Sequence, residues 1–133
     1  MTDNSSIRVR DLMSEELFTV DGLATVDDAM ALMKRHRVGS LVVNRRNEDD
    51  ELGLIAVGDI ARRVIAEDRS PKRVNVYEIM AKPLLTLPED MLARYASRLL
   101  ARFNLSRAVV VDRDRNPLGM VTLRDLIMGY TSD

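Results

Sequence analysis

Residues 117–126 read PLGMVTLRDL, and residues 51–60 read ELGLIAVGDI. Both stretches run from a polar turn through a short apolar segment into a sequence typical of a helix start. Each carries a glycine and, six positions later, an aspartate: Gly53 with Asp59, and Gly119 with Asp125. The second stretch has Thr122 between the two, where the first has Ala56. The chain therefore contains one pattern twice, and the two copies differ at the residue that would begin the helix.

The repeat extends over most of the chain. Sliding the sequence by 67 residues aligns VYEIM with VRDLM, LLTL with LFTV, and LSRAVVV with VGSLVVN. Chance is not expected to preserve order and spacing over several blocks, so the alignment indicates an internal repeat of about sixty residues. We assign residues 1–67 to the first repeat and 68–133 to the second. Together they should form one compact module.

Each repeat predicts the element order β-α-β-β-α, with a strand–turn–strand hairpin between two helices. Apolar residues recur at helical spacing in the first helix of each repeat, and we expect these stripes to lie in the core: Val26, Ala29, Met30 and Met33; Leu92, Tyr95, Ala96, Leu99, Leu100 and Phe103. Thr25 and Asp28 resemble a capping box. The predicted fold class is α+β, with the two repeats packed as a pseudo-twofold pair.

Composition excludes several classes of function. The net charge of −1 gives no basic excess for binding nucleic acid, and the absence of cysteine removes thiolate catalysis and cysteine-bound metals.

His36 has no partner at a ligand spacing, so we expect no metal site and an exposed histidine at a helix end. The acidic turn at residues 47–51 should be solvated. No apolar run is long enough to cross a membrane, which favours a cytoplasmic protein. No catalytic arrangement is evident, so we expect no enzyme activity.

The doubled unit, its element order and the ending G-h-x-[S/T]-x-x-D resemble the cystathionine-β-synthase (CBS) domain family, paired as a Bateman module. The resemblance implies a non-catalytic regulatory module that requires no cofactor. It also implies that adenosine-containing ligands bind in clefts between the two copies, and that two modules associate as a homodimer.

The aspartates suit such a ligand, because a carboxylate can accept hydrogen bonds from both hydroxyls of a ribose. Thr122 lies three residues before Asp125, where its hydroxyl and the free N–H groups of the first helical turn could face ribose or phosphate. Arg107 and Arg124 would add positive charge for phosphate. The alternative is structural: Thr122 and Asp125 would form a helix cap, and Arg107 would be a solvated surface arginine.

The resemblance also assigns the walls of the two clefts. In the cleft of Thr122 and Asp125, adenine would contact Met13, Phe18, Thr19, Val20, Val38 and Gly39. In the second cleft, Asp59 would be joined by Met80, Leu85, Thr86, Leu105 and Ser106. Met13 and Met80 would equally fit core packing.

The leading hypothesis is a sensor of AMP, ADP, ATP or S-adenosylmethionine that controls an unidentified protein. Arg107 and Arg124 favour a phosphorylated ligand, and the cleft with Thr122 should bind more tightly. The alternative is a ligand-free module for protein interaction and dimerisation. We expect a homodimer, because apolar positions remain on the outer faces of the helices.

Overall fold

The computed structural model describes residues 6–82 and 85–129. Within them the chain is mixed α+β and divides into a central unit, residues 18–84, and a terminal unit, residues 1–17 with 85–133. In chain order the α-helices and strands are α1 (Val9–Leu12), β1 (Thr19–Val20), α2 (Val26–His36), β2 (Ser40–Val43), β3 (Gly53–Ala56), α3 (Val57–Ile60), α4 (Val76–Ile79), β4 (Thr86–Pro88), α5 (Ala93–Arg102), β5 (Arg107–Val111), β6 (Pro117–Thr122) and α6 (Leu123–Met128). A π-helical segment, Ala61–Ile65, continues α3, and a 3-10 turn, Pro71–Arg73, precedes α4.

Each unit is built on a three-stranded sheet. The strand order is β1-β2-β3 in the central unit and β4-β5-β6 in the terminal unit. The first strand pairs in parallel with the second, which requires a crossover, and α2 or α5 supplies it. The second and third strands form an antiparallel hairpin, as the sequence predicts. The same helix and strand order in both repeats confirms the predicted fold class.

The helical stripes face a separate apolar core in each unit. Val26, Ala29 and Met33 are buried in the central core, and Ala96 and Leu100 are buried in the terminal core. The prediction was wrong for three members of the stripes, which stay exposed: Met30, Tyr95 and Phe103. Each helix meets its sheet along one narrow side, so residues at the edge of the stripe remain at the surface.

The compact units do not follow the boundary between the sequence repeats. The α1 segment belongs to the terminal unit, where the Val9 N–H donates to the Met91 carbonyl at 2.8 Å. The α4 segment belongs to the central unit, where the Val76 N–H donates to the Ala24 carbonyl at 2.8 Å. These contacts are equivalent under the repeat. Each short helix therefore packs in the unit that holds the sheet of the other repeat.

Candidate functional site

The second strand–helix junction carries the predicted threonine and aspartate. Thr122 caps α6: its Oγ1 accepts a hydrogen bond from the Asp125 N–H at 3.0 Å. In return, Oδ2 of Asp125 accepts from the Thr122 N–H at 3.3 Å. This is a complete capping box. The cap engages one carboxylate oxygen, and among residues 6–82 and 85–129 no hydrogen bond to Oδ1 of Asp125 is found.

The first junction uses its aspartate differently. Oδ2 of Asp59 accepts from the Ala56 N–H at 3.0 Å, so the backbone half of the cap is retained without the hydroxyl. The other oxygen, Oδ1, pairs with Nη2 of Arg62 at 3.2 Å. Gly58 lies beneath that guanidinium, because a Cβ at this position would sit 3.0 Å from Nη1 of Arg62. Both oxygens of Asp59 are therefore engaged.

The repeat accounts for this difference between the junctions. Arg62 corresponds to Met128 in the second copy, and Gly58 corresponds to Arg124. Met128 cannot form an ion pair with the aspartate, and it is exposed. The second junction thus has its arginine beside the aspartate in sequence, while the first has an arginine one turn later that folds back onto it. Thr122 and Asp125 are themselves half-buried, as is Asp59.

The terminal unit contains Asp125 and several of the other candidate residues. The Leu123 N–H donates to the Ser106 carbonyl at 2.8 Å, which holds Leu105 and Ser106 beside the start of α6. Arg107 pairs with Thr122 in the β5–β6 ladder, so it lies across from the cap residue. Met13, Leu85, Thr86 and Arg124 belong to the same unit.

The central unit contains Asp59 and the remaining candidates. The Val57 N–H donates to the Gly39 carbonyl at 3.0 Å, which places Gly39 and Val38 beside the start of α3. Met80 lies close to the β3 strand, since its Sδ would be 2.9 Å from a Cβ at Gly53. Phe18, Thr19 and Val20 lie in this unit as well. The residues that were predicted for each cleft therefore belong partly to one unit and partly to the other.

Two expectations outside the junctions were wrong. His36 is half-buried, and its ring stacks on Phe18 with the centroids 3.9 Å apart. The turn at residues 47–51 is not wholly solvated: Asp50 is buried and forms ion pairs with Lys82 and Arg46. Lys82, chiefly, and the Arg46 N–H hold the pKa of Asp50 well below its usual range. No sequence pattern predicts the pair, because Lys82 is 32 residues away.

Neither a metal cluster nor a membrane-spanning helix is found in the described ranges. No group of three or more histidine, cysteine or acidic residues could hold an ion there. No helix there is long and apolar enough to cross a membrane.

A sequence profile of the CBS domain matches this chain twice, over residues 9–66 and 76–131. The chain belongs to the CBS domain family. YhcV, a CBS domain-containing protein of Bacillus subtilis strain 168, is 32% identical over 125 residues, which are 94% of this chain and 86% of YhcV. The chain spans 62%, 86% and 51% of the lengths of three curated relatives. A CBS-domain pair is a regulatory module.

Solved structures have the same fold. The hexameric CBS-CP12 protein of bloom-forming cyanobacteria is 34% identical, with a TM-score of 0.83 over 92% of this chain and 67% of that one. The CBS domain of a bacterial CNNM/CorC family Mg²⁺ transporter, solved in complex with ATP, is 29% identical, with a TM-score of 0.78 over 95% of this chain and 88% of that one.

Proposed function

We propose that this CBS-domain pair is a regulatory sensor that binds an adenosine-containing ligand and catalyses no reaction. The proposal rests on the hydrogen bonding of the Asp125 carboxylate. Its cap occupies Oδ2 and leaves Oδ1 without a hydrogen bond from the described residues. A ribose offers two adjacent hydroxyls, which a carboxylate with spare acceptor capacity can take as charge-assisted hydrogen bonds. Capping and ligand binding are therefore compatible at this junction.

Two arginines in the same unit favour a phosphorylated ligand, AMP, ADP or ATP, over S-adenosylmethionine. Arg107 lies opposite Thr122 in the ladder, and Arg124 adjoins Asp125 in sequence; both are exposed. Guanidinium groups suit phosphate because of their forked donors. The ATP complex of the related CorC-family domain supports an adenine nucleotide in this family. The adenine contacts assigned to Phe18 and to residues 19–20 and 38–39 remain part of the proposal.

The two junctions should bind unequally. At Asp59 a ribose would have to displace Arg62 from Oδ1, and Ala56 offers no hydroxyl. At Asp125 neither obstacle exists among the described residues. We infer that the ligand site of Thr122 and Asp125 is the tighter one.

The second candidate function is a ligand-free module for dimerisation and partner docking. Exposed apolar side chains on the helices favour it, among them Val57, Ile65, Ile127 and Met128, whose exposed fractions are 46% to 56%. We include a homodimer, an unidentified regulated protein and a cytoplasmic location in the proposal. Dimerisation and nucleotide binding are not exclusive, so the experiment must test the ligand directly.

The test is calorimetric titration with AMP, ATP and S-adenosylmethionine, beside thermal unfolding. Asp125→Ala should weaken binding about ten- to over a hundredfold, because hydrogen bonds to a charged group contribute about 1.5–3 kcal/mol. Thr122→Ala should weaken it less, by about 0.5–1.5 kcal/mol. Asp125→Asn retains an oxygen for the cap and removes the charge, so it separates lost binding from lost helix stability.

Asp59→Ala is the matched control, because it removes the equivalent carboxylate from the other junction. Nucleotide binding lost in Asp59→Ala and retained in Asp125→Ala would show that the wrong junction was chosen. A ligand at 100 times its dissociation constant should stabilise the protein by about 2.7 kcal/mol. No stabilisation by any adenosyl compound at millimolar concentration would favour the ligand-free function.

A further inference from the structure

A cavity of about 540 Å³ lies at one end of the central sheet, next to the residues that follow β2. Strand β2 is antiparallel to β3, with Val43 opposite Gly53. Asp59 follows the other end of β3, so the cavity and the first junction lie at opposite ends of the sheet. All lining residues of the cavity belong to the central unit, and among them only Met80 was predicted for an adenosyl cleft. The volume is typical of a small-molecule site, about 300–1,000 Å³.

One wall of the cavity is apolar. Four side chains form it: Leu23, Val43, Tyr77 and Met80. Leu23 and Tyr77 remain exposed to 74% and 52%. Under the repeat, Asp90 and Arg10 occupy the equivalent positions in the terminal unit. The fold therefore does not require apolar residues here, and exposed apolar side chains that line a concave surface favour a ligand.

The basic side chains of the cavity surround a buried acid. The Asp50 side chain is 8% exposed and pairs with Nζ of Lys82 and with Nε of Arg46, the latter at 3.2 Å. These pairs join the β2–β3 turn to the segment that follows α4. An ammonium group has three donors. Lys82 directs one at Asp50 and forms no other side-chain hydrogen bond within residues 6–82 and 85–129, so it retains donors for a ligand.

Arg45 has no comparable structural role. It is half-buried, and its side chain forms neither an ion pair nor a hydrogen bond with the part of the chain that the structure describes. Asp112, its equivalent under the repeat, stabilises its own turn by accepting from the N–H groups of Asp114 and Asn116 at 2.8 and 2.9 Å. With Asp21 included, the lining of the cavity has three basic and two acidic side chains, which leaves one positive charge.

We propose that this cavity binds a small organic carboxylate, whose apolar body packs against Leu23 and Tyr77 and whose carboxylate meets Arg45 and Lys82. A single excess positive charge matches a monoanion. The forked donors of a guanidinium suit a carboxylate, and the apolar wall gives the body of the ligand a surface to bury. The proposal assigns the central unit a second ligand class and does not depend on the adenosyl site.

Titration with 3-phenylpropionate, followed by ¹H–¹⁵N NMR, tests the site. The amides of residues 21–23, 43–46 and 77–82 should shift saturably, with a dissociation constant of about 1 mM or below. The equivalent amides at 88–90 and 110–113 provide an internal control and should not shift. 3-Phenylpropanamide lacks the charge and acetate lacks the apolar body, so each should bind about tenfold more weakly or less well still.

Three results of the titration would overturn the proposal. They are equal affinities for the acid and its amide, shifts confined to the terminal unit, and no saturable shift at about 10 mM acid.

Substitutions separate the contributions of charge and apolar surface. Arg45→Ala should weaken 3-phenylpropionate binding about tenfold, because it removes the unpaired guanidinium. Arg73→Ala is the matched control, since Arg73 is exposed in the same unit and does not line the cavity. Leu23→Asp should also weaken binding about tenfold or more, with little effect on urea unfolding because Leu23 is exposed. Native affinity in Arg45→Ala, or an equal loss in Arg73→Ala, would refute the site.

Discussion

Replacing Gly119 with alanine should destabilise the terminal unit more than the same change at any other glycine of the doubled pattern. Gly119 lies in β6, directly beneath the segment that follows α1. A Cβ there would collide with the carbonyl oxygen of Ser14, and it would lie 3.3 Å from Sδ of Met13. The Ser14 oxygen belongs to the backbone, so a side-chain rotation cannot relieve the collision.

The structure gives the size of the effect. Ser14 and Met120 exchange two backbone hydrogen bonds, of 2.8 and 2.9 Å, which hold the N-terminal segment on the sheet. Displacing the segment would lose both bonds, at about 1 kcal/mol each. Overpacking that does not displace it costs about 1–3 kcal/mol. We expect Gly119→Ala to lower the free energy of unfolding by about 2–3 kcal/mol.

Two other glycines provide graded controls. At Gly53 a Cβ would meet Sδ of Met80 at 2.9 Å and the carbonyl oxygen of Ala81 at 3.2 Å. The thioether end can move, so Gly53→Ala should cost about 1–2 kcal/mol. At Gly39 nothing lies within 4 Å, so Gly39→Ala should stay within about 0.5 kcal/mol of the native protein.

Urea unfolding measures these differences as shifts of the midpoint at constant slope. The expected order of destabilisation is Gly119→Ala, then Gly53→Ala, then Gly39→Ala. Alanine also restricts the unfolded chain, which favours folding equally in all three variants. Equal midpoints for Gly119→Ala and Gly39→Ala would refute the reasoning, because a Cβ at Gly119 would meet Ser14 and Met13 whereas a Cβ at Gly39 would meet nothing within 4 Å.

Two further predictions concern the acidic side chains. The pKa of Asp50 is lower in the folded protein than in the unfolded chain, where it is about 4. The ionised carboxylate therefore stabilises the fold at pH values above about 4, and this contribution is lost as the pH falls towards the pKa of the folded protein. Asp50→Asn should therefore have a lower free energy of unfolding than the native protein at pH 7, and the difference should shrink on acidification. Urea unfolding at several pH values measures this difference. A difference that stays constant with pH would show that the ion pair with Lys82 does not stabilise the fold. Arg62→Met should raise nucleotide affinity at Asp59 by up to about fivefold, because an exposed ion pair contributes about 0.2–1 kcal/mol. Calorimetry in an Asp125→Ala background measures it, and unchanged binding there would show that Arg62 does not obstruct the junction.

Local sequence patterns predicted much of the fold. The apolar hairpin strands, the helical stripes and the capping box of Thr25 and Asp28 all depend on residues within a few positions of one another. The exchange of α1 and α4 between the repeats could not be predicted in this way. Each is a helix of four residues, too short for a helical period, and its place depends on distant backbone hydrogen bonds.

The candidate site shows the same limit. The sequence indicated the two aspartates, and it showed that a threonine hydroxyl precedes only Asp125. It did not indicate the ion pair that engages Asp59. Arg62 lies three residues after Asp59, a spacing that allows a helical ion pair without requiring one. Gly58 was the available signal, since its missing side chain leaves space for the guanidinium.

The proposed function gives the aspartate two tasks, capping a helix and binding a ligand, and these two tasks would explain why the copies differ. In both repeats its Oδ2 accepts from the backbone N–H three residues earlier, at the start of α3 or α6. Folding alone therefore gives a reason for aspartate in each copy, and its presence by itself does not indicate a ligand. What differs is the environment of Oδ1: Arg62 engages it in the first copy, whereas Met128 occupies the equivalent position in the second. Substitutions that change Oδ1 and preserve the cap are consequently the ones that separate binding from folding.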